Sequence, residues 1–475
     1  MSDLKRVDDV TWEIPPTGGM RVPGRIFASD ALMEVAAMGE ATQQVANVAH
    51  LPGIVEASFA MPDIHWGYGF PIGGVAATDI DDGGVVSPGG VGFDICCGVR
   101  LLASDLTVDD FRRHRDAIMA NLDARIPRGP GTGAIAPESL VPKVLSEGAA
   151  AAVEAGYGWE EDLERCEERG TSQGGDPAAI SEKAMTRGRG QLGSLGAGNH
   201  FLEVQYVDRV VDPEAAEVFG LREGAVTVMI HCGSRGLGHQ TCTDHLRLMG
   251  QAMARHGITV PDRQLACVPV RSEEGSDYMA ALAAASNFAW ANRHILAHAA
   301  RESFADALGV SPRQIGMRLV FDVAHNLAKI ERHTVGGAEL ELCVHRKGAT
   351  RAFGPGHPAL PEDLRPVGQP VLIPGSMGTA SWVLRGVEGN PAFDSAAHGA
   401  GRVMSRRRAK RERSGRQVAE DMRSEGVDVR PGSVSLLSEE APYAYKDVDE
   451  VVRVCDAARL AAPVARVRPL GVVKG

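Results

Sequence analysis

The stretch Gly89-Gly90-Val91-Gly92-Phe93-Asp94-Ile95-Cys96-Cys97-Gly98-Val99-Arg100 sets a carboxylate three residues ahead of a thiol, walled in by glycines. Glycine lets the backbone turn sharply and lets another group approach closely. The side chains on offer are then one hard oxygen ligand and one sulfur. A thiolate binds one divalent ion or bridges two, and a neighbouring carboxylate completes the set. Alone, the stretch reads as ordinary packing, because a free cysteine behaves as a small hydrophobe. Four further segments change that reading: 196–203 with Asn199, His200 and Glu203, 230–239 with His231, 322–326 with His325 and Asn326, and 396–402 with His398 and Ala400. One such histidine would be a satisfied polar group, whereas four, each beside Gly, Ala or Asn on an apolar run, fit a shared polar site. Asp94, Cys97 and three histidines supply enough donors for two divalent ions sharing the thiolate. Donor chemistry leaves the metal open: thiolate and imidazole suit Zn²⁺, while an oxygen-rich triphosphate draws in Mn²⁺ or Mg²⁺.

The elements that must position these groups are short strands and connecting helices. Apolar β-rich runs at 225–231, 317–323 and 340–345 mostly end in a histidine, which points side chains from a sheet edge into a common cleft. A helix is predicted from an Asp30 cap to about residue 50, another from Thr107 to about 124, and one over 138–155. A long Ala-rich helix over 276–308 is closed by Gly309, and a last helix spans 447–460. Residues 125–190 read as a peripheral subregion within a single catalytic fold spanning 1–475. The acidic run 160–168, six acids against Arg165, reads as a solvated helix face.

Composition is that of an ordinary globular enzyme: 475 residues, 44% hydrophobic and 23% charged, rich in glycine (56) and poor in aromatics (5%). No apolar run is long enough to cross a membrane, and the N-terminus lacks a signal-peptide core, so a cytoplasmic location is expected. Eight scattered cysteines without framework spacing argue for free thiols and one metal ligand. A net charge of −11 repels phosphate globally, so any nucleic acid has to be held by a local basic surface.

Together the segments resemble the RtcB family of RNA ligases, which join RNA 3′-phosphate or 2′,3′-cyclic phosphate ends to 5′-hydroxyl ends in tRNA splicing and RNA repair. The resemblance covers nearly the whole chain. It runs through 61–74, the 89–100 stretch and the histidine segments, then His345-Arg346-Lys347-Gly348-Ala349-Thr350-Arg351-Ala352-Phe353. It continues through Pro374-Gly375-Ser376-Met377-Gly378-Thr379-Ala380-Ser381, Ala444-Tyr445-Lys446-Asp447 and Lys474-Gly475. It implies an α/β fold of mixed sheets flanked by helices around a dimetal cleft. It also implies two Mn²⁺ ions on Asp94, Cys97, His200, His231 and His325, with GTP as co-substrate. His398 would be the nucleophile that takes GMP, which then passes to the RNA 3′-phosphate. Asn199, Glu203, Asn326, Ser376, Ser381, Ala400, Tyr445 and Lys474 would hold the guanylate. Tyr445 would stack on the base, Lys474 would donate to the guanine oxygen and Glu203 would bind the ribose. RNA is the implied partner, and the resemblance admits an archease-like activator. The family's D-x-x-C spacing selects Cys97 over Cys96, which would face the opposite side of an extended segment.

The residues agree with that chemistry. A phosphate monoester has no leaving group, and capping it with GMP supplies one. No G-x-x-x-x-G-K-[ST] is present, nor the K-x-D-G of lysine-dependent ligases, so the covalent step needs another nucleophile, and His398 fits. Eight basic residues from Arg402 to Arg416, Arg406 among them, face a single acid, Glu412. They read equally as a solvated helix face or as a phosphate wall, to which Arg187, Arg189 and Lys347 are weaker additions. His294 and His298 lack the glutamate of H-E-x-x-H and read as structural, while His65 and Asp63 border the site. Two other functions stay open: a dinuclear metallohydrolase of phosphodiesters or cyclic phosphates with His398 as general acid, and a catalytically silent RNA-binding protein.

Overall fold

The computed structural model describes residues 4–35, 38–129, 131 and 133–475. Two large sheets carry the architecture. The first runs edge to edge through Lys5–Arg6, Thr11–Ile14, Gly24–Phe27, Ser58–His65, Ile72–Asp79, Ala338–Lys347 and Asn326–Val335. The second is ordered Arg318–Ala324, Gly98–Thr107, Ala225–Cys232, Phe201–Val210, Ala462–Lys474, Ser381–Arg385 and Pro370–Ile373, with Asp428–Pro431 added parallel to Ala462–Lys474. Most pairings are antiparallel, but Gly24–Phe27 runs parallel to Ser58–His65. With helices packed on the sheet faces, this is the mixed α/β arrangement expected.

Ala225–Cys232 is buried at every position, because apolar layers cover the second sheet on both faces. One layer holds Phe111, Leu122 and Phe304, and the other Phe219, Phe353 and Leu364. The long helix spans Glu273–Leu308. Ser272 caps its start by accepting from Gly275 N, and Gly309 closes it at φ +67°. It is buried along most of its length, which its Ala-rich sequence allows by letting neighbours approach closely.

Three sequence expectations need correction. The helix predicted from Asp30 is two helices, Asp30–Met33 and Met38–Val48, and Ser29 rather than Asp30 is the cap. Residues 36–37 between them lie outside the described residues. The predicted 138–155 helix breaks at Gly148 into Val141–Glu147 and Ala149–Glu154. There φ is +59°, and a Cβ would sit 2.2 Å from Gly170 O. The acidic run is only in part a solvated face: Glu160, Glu161, Glu164 and Glu168 are exposed, but Asp162 and Glu167 are buried. Asp162 accepts from Arg301 Nη1 and Nη2 at 2.5 and 2.8 Å, and Glu167 takes Lys329 Nζ at 2.7 Å and Ala324 N at 2.8 Å.

Candidate active site

Register gathers the donors. Gly98 pairs with Cys232 and Val99 with His231, Phe201 pairs with His231, and Ala324 pairs with Gly98. In antiparallel strands these pairings put two strand starts and two strand ends at one edge. Cys97, His200, His231 and His325 therefore meet there. His325 occupies the step between sheets, one residue after Arg318–Ala324 of the second and one before Asn326–Val335 of the first. Its N donates to Cys97 O (2.8 Å), and its O accepts from Ala349 N (3.2 Å).

The side chains form two overlapping clusters, Cys97–His231–His325 and Asp94–Cys97–His200, each with its ligand atoms within 4.8 Å of one another. Cys97 Sγ lies 3.3 Å from His231 Nε2 and 3.4 Å from His200 Nε2. His231 Nε2 lies 3.3 Å from His325 Nε2, and His200 Nε2 donates to Asp94 Oδ2 at 2.7 Å. Burial, followed by positive neighbours, drives the His231 and His325 imidazoles well below the usual histidine range, so both are neutral with lone pairs to give. Burial, then Asp94, pushes the Cys97 thiol well up; a dication reverses this and releases the proton. Asp94 Oδ1 and His325 Nδ1 are buried without a hydrogen-bond partner among the described residues. Carboxylate, thiol and imidazole groups converging on shared points, with Cys97 common to both clusters, are a donor set that fits divalent-cation binding.

Cys96 points away from this centre, though not for the reason predicted. The segment is a turn rather than extended, Cys96 sits at φ +53°, and its sulfur packs toward Arg293 Nη2. All eight cysteines are free and buried.

The centre opens into a cavity of about 730 Å³. His398 lines it, with its ring centroid 4.8 Å from that of His325. His398 Nδ1 lies 2.6 Å from Asp63 Oδ2, which also accepts from His398 N (3.1 Å) and Gly399 N (3.2 Å). Burial disfavours charge on Asp63, yet the His398 ring and amide hold its carboxyl below the usual range. Lys446 Nζ fixes the strand on either side, donating to Pro62 O (3.1 Å) and Ile64 O (2.6 Å).

Asn199, Glu203, Ser376, Ala400, Tyr445 and Lys474 line the same cavity. Burial raises the Glu203 carboxyl to about 8, despite Gln205 Nε2 at 2.5 Å and the Lys474 charge. Burial lowers Lys474 to about 8 against the pull of Glu440 and Glu203. Far from being a loose end, Lys474 closes the Ala462–Lys474 strand inside the second sheet and sits 5.5 Å over the Phe201 ring. The Tyr445 hydroxyl donates to Glu440 and accepts from Arg402 Nη1 at 3.1 Å. Asn326 also lines the cavity, whereas Ser381 does not. Ser381 Oγ accepts from Gly375 N at 3.0 Å behind the loop. Asn326 donates to Asp94 O and accepts from Gly348 N, both at 2.9 Å, locking the Asp94 turn to the first sheet.

Five of the eight residues in the basic run pair with acids. Arg402 and Arg406 pair with Glu440, Lys410 with Glu439, Arg408 with Glu412 and Arg413 with Asp421. Arg402, Arg406 and Arg407 line the cavity. Lys347 lines it too but turns inward, its Nζ donating to Tyr68 O (2.6 Å) and Phe70 O (3.2 Å). Arg187 lies outside, bonded to Gln240 Oε1 at 3.0 Å, and Arg189 is an exposed residue outside the cavity lining. Sequence reasoning missed Glu440, which no motif marks, and put Asp63 only at the border. His294 is structural, accepting from Arg100 Nη1 and donating to Tyr157 O at 3.1 Å each.

A profile of the family described as tRNA-splicing ligase RtcB matches residues 44–475. The chain is 54% identical over 478 residues to the tRNA-splicing ligase RtcB of Archaeoglobus fulgidus, covering 99% of each chain. It is 59% identical over 436 residues to the RNA-splicing ligase RtcB of Mycobacterium tuberculosis, 91% of this chain and 100% of the relative. With the tRNA-splicing ligase RtcB of Thermococcus kodakarensis it shares 52% over 480 residues, 100% and 99% of the two chains. The strands, turns and histidines that build this cleft all fall inside the matched residues, and the chain belongs to the RtcB family.

Proposed function

We propose that the chain is an RNA ligase that joins an RNA 3′-phosphate or 2′,3′-cyclic phosphate end to a 5′-hydroxyl end, using GTP and a covalent guanylate on His398. Relatives named as tRNA- and RNA-splicing ligases support RNA as the substrate. The observation that carries the reading is the contact of His398 Nδ1 with Asp63, in the cavity that Glu203, Tyr445 and Lys474 also line.

Asp63 holds the imidazole as its Nδ1–H tautomer, which leaves the Nε2 lone pair free. Nε2 attacks the α-phosphorus of GTP, the N–P bond forms, and the bond to the departing pyrophosphate breaks. Asp63 balances the positive charge that the ring acquires. Lys474, Glu203 and Tyr445 hold the guanylate: the lysine donates to the guanine oxygen, the tyrosine stacks on the base and the carboxyl meets the ribose. A cyclic phosphate is first opened by water to a 3′-phosphate. An oxygen of that phosphate attacks the guanylate, the N–P bond breaks and His398 returns to neutral. The 5′-hydroxyl then attacks the activated RNA phosphorus, losing its proton to solvent, and GMP leaves. Asp94, Cys97, His200, His231 and His325 would hold two divalent cations, Mn²⁺ in this reading, which neutralise charge on the phosphates.

Incubation with Mn²⁺ and α-labelled GTP tests the reading. The expected result is an acid-labile, alkali-stable label on the protein that is lost in His398→Ala. No label with phosphodiester cleavage intact would identify a metallohydrolase, and neither activity would leave an RNA-binding role.

A further inference from the structure

Arg293 lies on the long helix, wholly buried, and touches neither the cavity nor a ligand side chain. Its Nη1 donates to Cys96 O at 2.7 Å and to Cys232 O at 2.9 Å. On the other edge, Nε lies 3.0 Å from both oxygens of Asp322 and Nη2 lies 2.8 Å from Oδ1. Cys96 immediately precedes Cys97, Cys232 immediately follows His231, and Asp322 stands three residues before His325. One planar group thus joins the three separate segments that deliver three of the five donors.

The geometry of the guanidinium matters here. Its five N–H groups are fixed in one plane, so bonds to three segments fix their spacing as well as their attachment. A lysine ammonium could keep the charge facing Asp322 but not the fork. Gly98, next to Cys97, leaves room at this point: a Cβ there would stand 2.6 Å from Val323 O and 3.0 Å from Arg293 Cζ.

Arg100 provides an internal comparison. It is equally buried and meets the same acid, Nε to Asp322 Oδ2 at 2.7 Å. Its remaining nitrogens go to His294 Nδ1 (3.1 Å) and Cys166 Sγ (3.2 Å), away from the backbone beside the ligands.

We propose that Arg293 is a positioning residue for the metal centre: it sets the separation of Cys97, His231 and His325, and so the coordination geometry of a cation held there. The proposal rests on the reading of these side chains as metal ligands.

Cobalt(II) titration of the full chain tests it, read by d–d and thiolate-to-cobalt absorption alongside a thermal midpoint. The unmodified protein should show both bands. Arg293→Lys should weaken Co²⁺ binding by about 10- to 100-fold and shift the bands. Arg100→Lys should lower the midpoint while keeping wild-type bands and affinity. Arg293→Gln replaces the lysine variant if that does not fold, with the same criterion. Wild-type bands and affinity in a folded Arg293 variant would overturn the proposal, as would an equal change in Arg100→Lys. An unmodified protein without bands would remove the metal centre itself, and the proposal with it.

Discussion

His398 and Asp63 stand 335 residues apart in the chain, yet one carboxylate oxygen of Asp63 receives the His398 amide at 3.1 Å and lies 2.6 Å from its ring nitrogen. The same oxygen of Asp63 thus stands against both the backbone and the ring of His398. Asp63→Asn should lower the initial rate of guanylate transfer to His398 by about 10²-fold or more. The check is label incorporation from α-labelled GTP at saturating concentration. A wild-type rate would mean that something other than Asp63 orients the ring.

Cys97 belongs to both donor groups and Cys96 to neither. Cys97→Ser should weaken divalent-cation binding by more than about 100-fold, and Cys96→Ser by less than about tenfold. Metal-by-metal titration followed by calorimetry separates them, and equal losses would reverse the ligand assignment.

Glu203 titrates near 8 in the folded protein, against an ordinary value of 4.5. Between those pH values the folded chain keeps a proton that the unfolded chain releases, so this group makes stability fall as pH rises, about 1.4 kcal/mol per pH unit at most. Glu203→Gln removes that dependence. The stability of the variant minus that of the wild type should rise from pH 5 to about 7.5, measured by denaturant midpoints at each pH. A constant difference would place the carboxylate in a solvated setting.

Asp162 is buried against Arg301, with a fork of two hydrogen bonds. Asp162→Ala leaves that guanidinium unpaired and should cost about 3–5 kcal/mol. Glu160→Ala, two residues away and exposed, should stay within about 0.5 kcal/mol. Urea unfolding of the two variants tests the pair, and similar midpoints would return the whole acidic run to the solvent.

What could be read in the residues alone follows from how local the physics is. The body and end of the long helix were legible because an Ala-rich run and Gly309 lie in one continuous stretch, while its start at Glu273, capped by Ser272, lies ahead of the predicted 276. His231 and His325 were legible because apolar runs stop at or near them, but His345, expected to do the same, lies inside Ala338–Lys347 and accepts from Ser87 N at 3.1 Å, outside the cavity lining. The pairing of Asp63 with His398 was not legible, since no spacing relates that carboxylate to a histidine more than three hundred residues on. The Ala462–Lys474 strand was hidden by Arg466, Arg468, Pro469 and Gly471, which break an alternating pattern. Arg466 is paired with Asp208, and a register shift between Pro469 and Gly471 absorbs the proline. Asp162 and Glu167 looked solvated because their partners, Arg301 and Lys329, are far away in sequence.

Since His325 is the step from one sheet to the other, the site lies along a seam. Asp94, Cys97, His200 and His231 belong to one side of it, while Asp63 and His398 ride on the other. A slip of the two halves by an ångström or so would pull His398 away from the Asp94, Cys97, His200 and His231 cluster while every strand kept its own ladder. Gentle warming or low denaturant should therefore silence this molecule before its circular dichroism changes.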